Sequence, residues 1–414
     1  MLLGRGPHGD VEGRRVAVTG IGAVTCCGLG IDALWEGLLH PSISGERRVP
    51  GFDAAQYFGP KEARRIDRFA AFTVASAEMA VEDAGDLEVD PARAGVVFAT
   101  GVGGFDTLAE QVTVYNERGP RRVSPFLVPM MMANAGAAHV SMRNGWRGPS
   151  ETVVTACAAG THAIAAAARL VASGRCDVAI GGGAEASMHP VAIAAFANMT
   201  ALSTSGESRP FDARRDGFVI TEGAAALVLE DLDRAVARGA HVYAEIAGAG
   251  STADAHHITA PEPDGEGAVA CMEQALADAK LSPAEIAHIN AHGTSTPLND
   301  LAEAKAINKV FGEPGPAVTS TKGVTGHGLA AAGAIEAVAS ILAIEHRLIP
   351  HTYGCEQLDP EIHLDVVRGE ARPWEPGPVL SNSFGFGGHN GCLVILAPGS
   401  AGTRRRAAAA DPTS

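Results

Sequence analysis

The sequence has few aromatic residues, few cysteines and no long apolar run, and each shortage excludes a class of protein. Only 5% of the 414 residues are aromatic, whereas 50 are glycine and 46% are hydrophobic. This composition favours helices packed closely on buried sheets over a disordered chain. The best candidate for a membrane span, residues 328–344, is interrupted by Glu336, so no span is predicted.

The seven cysteines contain no C-x-x-C pair and no spacing typical of zinc ligands, so we predict no metal site. An odd number of cysteines is typical of a protein that stays reduced. The first ten residues also lack the apolar segment of a signal peptide. Both observations lead us to expect a cytoplasmic protein.

Basic residues are fewer than acidic ones. The chain has 32 lysines and arginines against 47 acidic residues, a formal charge of −15, which argues against nucleic acid as the main partner. Lys61, Arg64, Arg65 and Arg68 are a local exception. Their spacing predicts a basic stripe on one helix, for which a solvated surface is the simplest interpretation.

One stretch, residues 151–174, combines a strand, a turn and a helix around a cysteine. Residues 152–155 are all β-branched and predict a short strand, Cys157 follows, and an alanine-rich helix ends at Gly174. A cysteine at a helix N-terminus is favoured as a thiolate, and the free N–H groups there can bind an oxyanion. The alternative is that Cys157 is a small buried apolar residue.

The second half of the chain repeats this pattern in residues 316–336. We therefore predict two halves, 14–241 and 242–398, between a leader (1–13) and a disordered tail (399–414). Alternating strands and helices in both halves predict a duplicated α/β fold with buried sheets covered by helices. The functional site is expected where the halves meet.

Three polar segments of the second half carry candidate site residues. His292 ends a predicted strand, Lys322 and His327 share a turn, and Phe386 lies among glycines that let backbone N–H groups approach a ligand. A single histidine is more often structural than catalytic. A cysteine, two histidines and a lysine on glycine-bounded turns favour a catalytic interpretation.

Together, TACAAGTHA, AHGTSTPLND, STKGVTGH and NSFGFGGHN resemble the four signatures of the elongating β-ketoacyl-acyl carrier protein synthases of the thiolase superfamily. The resemblance covers residues 14–398 in the correct order. It includes the type II fatty-acid enzymes and the type II polyketide ketosynthases. It implies a five-layered α-β-α-β-α fold, and either a homodimer or a pair with a ketosynthase-like subunit.

The resemblance also implies a role for each candidate catalytic residue. Cys157 resembles the nucleophile that accepts the acyl group. His292 and His327 resemble the pair that binds the malonyl thioester and stabilises its enolate. Lys322 and Glu336 resemble the ion pair that orients the histidines.

Further positions match parts of the family's substrate path. Phe386, between Gly385 and Gly387, resembles the gating phenylalanine, and its N–H together with that of Cys157 resembles the oxyanion hole. Thr294 and Thr296 match positions that contact the phosphopantetheine arm.

Val102 and Phe196 are expected to influence pocket depth, together with residues 129–137 of the partner subunit. Lys61, Arg64, Arg65 and Arg68 resemble the helix that docks the acidic acyl carrier protein, and a local basic patch on an acidic chain would steer such a partner.

The sequence departs from the housekeeping enzymes at two places. The loop 202–212 is shorter and carries Ser205 where an arginine meets the carrier protein. Gly328 follows His327 where a bulkier residue is usual. Both departures point to a specialised pathway.

The expected reaction is acyl transfer to Cys157 followed by decarboxylative condensation with malonyl-carrier protein, which extends the chain by two carbons. It needs no cofactor beyond the phosphopantetheine that carries the substrates. One alternative is a specialised-metabolite subunit that acts as a partner, chain-length or inhibitor-resistance form. A degradative thiolase is another, but it requires a second catalytic cysteine, and Cys392 lies in an apolar strand.

Overall fold

The computed structural model describes residues 13–42, 47–313 and 315–399. Apart from residues 13 and 399, the predicted leader and tail lie outside these ranges. The strands of the described chain are β1 (Val16–Thr25), β2 (Gly28–Leu29), β3 (Ala94–Ala99), β4 (Ser150–Val153), β5 (Val178–Glu185), β6 (Gly223–Asp231), β7 (Ala244–Ala253), β8 (His288–Asn290), β9 (Ala317–Thr319), β10 (Leu348–Ile349), β11 (Asp365–Val366), β12 (Arg372–Pro373), β13 (Val379–Gly385) and β14 (His389–Leu396).

The α-helices of the same ranges are α1 (Ile31–Leu39), α2 (Ala55–Glu62), α3 (Arg68–Ala84), α4 (Phe105–Arg118), α5 (Leu127–Met131), α6 (Ala135–Asn144), α7 (Ala159–Ala172), α8 (Pro190–Asn198), α9 (Leu232–Ala237), α10 (Glu266–Ala279), α11 (Pro297–Phe311), α12 (Lys322–Thr325) and α13 (Ala332–Glu345). No helix in the described part of the chain is long and apolar enough to cross a membrane.

The two halves place their strands in the same order. Strands β1, β6, β5, β3 and β4 lie side by side in the first half, as do β7, β14, β13, β8 and β9 in the second. In both sets the first two neighbouring pairs are antiparallel and the last two are parallel. This repetition confirms the predicted duplicated α/β fold.

Five layers follow from how the helices cover these strands. Helices α7 and α13 contribute to the core between the two sets, whereas α3 and α6 cover the outer face of the first and α10 and α11 that of the second. Because α13 lies in the middle layer, every residue from Ala332 to Ile344 is buried. A Cβ at Gly160 of α7 would lie 2.6 Å from Ala330 O, so glycine permits this close packing.

The fold brings the predicted site segments to one end of the parallel strands. The Cys157 turn follows β4, His292 follows β8, Lys322 follows β9 and Phe386 follows β13. In α/β sheets, ligands bind outside the carboxyl ends of parallel strands.

The basic residues do not lie on one helix, so that prediction is wrong. Lys61 lies in the last turn of α2, Arg64 and Arg65 lie in a 3-10 turn (Ala63–Arg65), and Arg68 begins α3. The side chain of Asp67 accepts a hydrogen bond from Phe69 N and starts α3 as a separate helix.

Candidate active site

Cys157 lies at a sharp connection between β4 and α7. The strand ends at Val153, earlier than predicted, and a 3-10 turn (Ala156–Ala158) precedes the helix. Ala156 has φ 49°, a left-handed conformation that costs energy for a non-glycine residue and is often found at functional sites. The turn buries Cys157 to 7% exposure and directs it toward the second half.

His162 fixes this turn to the second half of the fold. Its Nε2 lies 3.0 Å from Asn390 O and its Nδ1 lies 2.7 Å from Thr155 Oγ1. A carbonyl oxygen only accepts, so Nε2 carries the proton and the Thr155 hydroxyl donates to Nδ1. These contacts give His162 and Asn390 a structural role.

The two predicted histidines lie beside the cysteine. His327 Nε2 is 3.1 Å from Cys157 Sγ, and the His292 ring lies 5.3 Å from the His327 ring, nearly perpendicular to it. Burial and the Lys322 charge lower the pKa of both imidazoles well below the usual value, and His327 adds to this effect at His292. Both rings are therefore neutral at physiological pH.

Lys322 determines which nitrogen of His292 faces the site. Its ammonium donates to His292 O at 2.5 Å, forms a buried ion pair with Glu336, and lies 3.4 Å from His292 Nδ1. Because the ammonium can only donate, Nδ1 is the unprotonated nitrogen. His292 Nε2 therefore carries a proton that it can donate to a substrate.

The sulfur of Cys157 is a thiol in this geometry. Burial raises its pKa to about 11, against the opposing effects of the Phe386 backbone N–H and the Lys322 ammonium. The prediction of a resting thiolate is therefore wrong, because burial outweighs the helix N-terminus. His327 Nε2 lies close enough to take the thiol proton during reaction.

The glycine-rich segment after β13 packs against the Cys157 turn. A Cβ at Gly385 would lie 2.9 Å from Cys157 N, and Gly387 has φ 81°, which favours glycine. Because Gly385 and Gly387 have no side chains, the backbone N–H of Phe386 can approach the Cys157 sulfur. The backbone N–H of Cys157 itself also lies near the sulfur. Two N–H groups in this position can hold an oxyanion.

An apolar cluster lies next to the nucleophile. Phe218 packs edge-on against His327 at 5.1 Å and against Phe196 at 5.6 Å. Val102, by contrast, is 54% exposed in the single chain and outside this cluster. The cluster contains Cys157, Met188, Phe218, Ile220 and Leu329, with Ile193, Phe196, Ala201 and Leu202 packed against it.

The comparisons with known proteins cover both halves. Residues 46–235 match the family "Beta-ketoacyl synthase, N-terminal domain" and residues 243–356 match "Beta-ketoacyl synthase, C-terminal domain". The chain belongs to the β-ketoacyl synthase family. It is 44% identical over 412 residues to "3-oxoacyl-[acyl-carrier-protein] synthase 2" of Synechocystis sp., covering 93% of this chain and 99% of that relative.

Solved structures of ketosynthases superpose on this fold. The ishigamide ketosynthase/chain length factor superposes with a TM-score of 0.87 at 33% identity, over 93% of this chain and 99% of that one. A type II polyketide synthase acyl-carrier protein in complex with its ketosynthase gives 0.86 at 32% identity, over 93% and 100%. The predicted family, thiolase-like fold and acyl-transferring enzyme class are confirmed.

The sequence interpretation missed Glu303, a second carboxyl behind the histidines of this β-ketoacyl synthase. Its oxygens accept hydrogen bonds from His292 N and Gly293 N, both at 2.8 Å, and burial raises its pKa to about 7. Glu303 therefore holds the backbone that carries His292. The sequence feature that could have revealed Glu303 is its place between Ala302 and Ala304 on the buried face of α11. A buried carboxyl needs hydrogen-bond partners, so a glutamate at such a position indicates a nearby polar group.

Glu185, at the end of β5, is another buried carboxyl near the cysteine. It accepts hydrogen bonds from Gly101 N and Ser187 Oγ, both at 2.8 Å, and burial raises its pKa from 4.5 to about 7. The folded protein thus holds this proton more tightly than the unfolded chain. The associated stability is fully present below pH 4.5 and is lost as the pH rises through 7.

Replacing Glu185 with glutamine should remove that pH dependence. Between about pH 4.5 and about pH 8, wild type should lose roughly 3 kcal/mol of unfolding free energy that Glu185→Gln does not lose. The difference between the variant and wild type should therefore rise by that amount. Urea denaturation across this range measures the difference. Parallel curves for the two proteins would show that Glu185 does not titrate as described.

The donor atoms of Cys157, His292 and His327 lie within 4.8 Å of one another, close enough to consider a metal. Metal-binding histidines normally donate their other ring N–H to an acceptor. Here His292 Nδ1 faces the Lys322 ammonium, and His327 Nδ1 has no partner among the described residues. These surroundings favour hydrogen-bond donation to a substrate over metal binding.

A separate group of buried oxygens lies behind the histidines. Asn290 Oδ1, Glu336 Oε2 and Ser381 Oγ have no hydrogen-bond partner within the described ranges. Asn290 and Ser381 are register partners on β8 and β13. Oxygen atoms of this kind are suited to a buried water or a hard cation.

Proposed function

We propose that this chain is an elongating β-ketoacyl-acyl carrier protein synthase. The observation that carries the proposal is the Cys157 Sγ–His327 Nε2 distance of 3.1 Å, with the protonated His292 Nε2 beside it. Cys157 attacks the thioester carbonyl of an acyl-carrier protein while His327 takes the thiol proton. The carrier thiol leaves with that proton, and the acyl group stays on the sulfur.

Condensation then uses both imidazoles as donors. Loss of carbon dioxide from a malonyl thioester creates an enolate, whose oxygen accepts a hydrogen bond from His292 Nε2. The acylated sulfur no longer donates to His327, so this neutral ring can carry its single proton on Nε2 and donate to the same oxygen. The enolate carbon attacks the acyl group on Cys157, and the N–H groups of Cys157 and Phe386 hold the resulting oxyanion. Collapse of this intermediate releases the sulfur and a β-ketoacyl product two carbons longer.

This chemistry requires no cofactor other than the phosphopantetheine that carries both substrates. The hydroxyls of Thr294 and Thr296 lie 2.8 Å apart after β8 and are our proposed contacts for that arm. Phe196, with the apolar cluster, would receive the acyl chain. We also propose a cytoplasmic location, which is supported by seven free cysteines.

The purified protein should release a β-ketoacyl product when acyl-carrier and malonyl-carrier proteins are added together. Mass spectrometry of the carrier-bound products measures this directly. The alternative is a partner subunit that does not catalyse condensation. Such a protein would bind carrier proteins but yield no product, whether assayed alone or together with a second ketosynthase-like subunit. Retention of Cys157, His292 and His327 argues against that candidate.

The carrier protein is proposed to dock on the Lys61–Arg65 cleft, defined here by Pro60, Lys61, Arg64, Arg65 and Phe126. Its volume is about 450 Å³, and the Arg65 guanidinium lies 4.3 Å from the centre of the Phe126 ring. Arg68 is less available, because it donates two hydrogen bonds to the buried carboxylate of Glu222. The cleft thus combines exposed positive charge with an apolar wall.

Reversing charge in this cleft should weaken carrier binding. For Arg64→Glu/Arg65→Glu we expect KM for acyl-carrier protein to rise about tenfold, with a weaker dependence on salt. The rate with a short soluble thioester should not change, because that substrate lacks the protein. Arg175→Glu makes the same charge reversal at an exposed arginine before β5 and is the control. An equal effect per reversed charge at Arg175 and in the cleft would exclude specific docking.

A homodimer is the assembly we propose. Strand β4 ends the sheet, and no strand among the described residues pairs with its outer edge. Helix α4, which follows the neighbouring strand β3 in the chain, presents Leu108, Val112 and Tyr115 at helical spacing, 38%, 50% and 55% exposed. A second copy that pairs along β4 would cover both features.

Val112→Glu/Tyr115→Glu should convert a dimer to a monomer in light scattering after size exclusion. Val236→Glu, at an exposed valine on α9, is the control and should leave the dimer intact. A monomeric wild type that pairs only with a ketosynthase-like subunit would contradict the homodimer.

A further inference from the structure

Cys26 and Cys27 are neighbouring thiols that the proposed reaction does not use. They form the two-residue loop of a hairpin in which Thr25 pairs with Gly28. Both side chains therefore leave one tight turn. These two cysteines are partly exposed, whereas the other five are buried. An oxidant in solution can reach this pair more readily than the rest.

The two thiols differ in their surroundings. Cys26 donates to the carbonyl oxygens of Thr325 at 3.5 Å and Val324 at 3.8 Å. Hydrogen bonding between the two sulfurs lowers the pKa of Cys27 and raises that of Cys26, and the Arg47 guanidinium also favours the thiolate. A thiol whose pKa is lowered by a second thiol beside it is an arrangement found in redox-sensitive cysteines with a resolving partner.

We propose that Cys26 and Cys27 form a redox modification site at which a hydroperoxide produces a reversible disulfide between neighbouring residues. The Cys27 thiolate attacks a peroxide oxygen, so that an S–O bond forms, the O–O bond breaks and a sulfenic acid results. The Cys26 sulfur then attacks the Cys27 sulfur and displaces hydroxide, which leaves as water with the Cys26 proton. In total, two thiols are oxidised and hydrogen peroxide is reduced to two waters.

The pair contacts a catalytic segment. Helix α12 begins at Lys322, His327 follows its end, and the carbonyls that accept from Cys26 lie between these two residues. Arg47 donates to the Val324 and Gly323 carbonyls of the same helix. A disulfide removes the Cys26 donor, so oxidation should shift α12 and slow condensation. This consequence rests on the proposed function, whereas the disulfide itself does not.

Peptide mapping after treatment with hydrogen peroxide tests the modification. The peptide that contains both cysteines should lose two hydrogens and resist iodoacetamide until a phosphine reductant is added. In Cys26→Ser, dimedone should trap a sulfenic acid on Cys27, whereas in Cys27→Ser the remaining Cys26 should stay a thiol. Free alkylation of both cysteines after peroxide, or equal trapping in the two variants, would overturn the proposal.

A second measurement separates the modification from its effect on activity. Cys157 is first loaded with an acyl group, which protects it from peroxide, and product release is then started with malonyl-carrier protein. Oxidised wild type should lose more than half of its rate and recover it on reduction, and the Cys26→Ser/Cys27→Ser variant should lose none. A disulfide that leaves the rate unchanged would overturn the link to α12, and failure to load Cys157 would instead count against the proposed function.

Discussion

Replacing Cys157 with alanine should abolish the acyl-enzyme and lower product formation by at least about a thousandfold. The sulfur is the atom that forms the thioester, and among the described residues the group formed with His292 and His327 contains no cysteine other than Cys157. Intact-mass spectrometry after incubation with acyl-carrier protein detects the adduct, and steady-state kinetics gives the rate.

The control for Cys157→Ala is Cys176→Ala, which also removes a buried thiol. Cys176 lies just before β5, whereas Glu185, which is near Cys157, lies at the other end of that strand. This variant should acylate as wild type does. An acyl adduct of normal yield on Cys157→Ala would place the nucleophile elsewhere and reject the assignment.

Replacing His292 with alanine should separate the two half-reactions. Acylation should continue, because His327 and not His292 lies 3.1 Å from the sulfur. Condensation should fall about a hundredfold to a thousandfold, the usual cost of removing one donor to a developing oxyanion. Single-turnover measurements of acyl loading and of product release from the loaded enzyme resolve the two rates.

His327→Ala provides the contrast for His292→Ala. Because His327 contacts the thiol, its loss should slow both acylation and condensation. His241→Ala, at an exposed imidazole paired with Glu345, controls for loss of a histidine. If His292→Ala slowed acylation and condensation equally, the separate role derived from the Lys322 contact would be wrong.

Local sequence patterns were enough to predict the elements that carry the chemistry. The strand–turn–helix units around Cys157 and Lys322 each combine β-branched residues, a turn and an alanine-rich helix, and the structure shows both. Their repetition also predicted the duplicated fold. The strand order could not be read in the same way, because it depends on pairings such as that of β1 with β6, which are distant in the chain.

The errors arose where tertiary surroundings override a local pattern. The basic residues have helical spacing, but Gly59 has φ 71° and Asp67 starts a new helix, so the chain bends twice. The thiolate was predicted from the helix N-terminus alone, whereas burial by Phe218 and its neighbours decides the pKa of Cys157. Glu303 was missed because its partners, His292 N and Gly293 N, come from another segment.

The central claim is that Cys157 carries the acyl group and that a malonyl substrate removes it by condensation. The most direct test is intact-mass spectrometry of the wild-type protein after acyl-carrier protein is added, and again after malonyl-carrier protein. The account predicts one acyl adduct on Cys157 that disappears as a β-ketoacyl product two carbons longer is released. An adduct that never forms, or one that persists after malonyl-carrier protein is added, would contradict it.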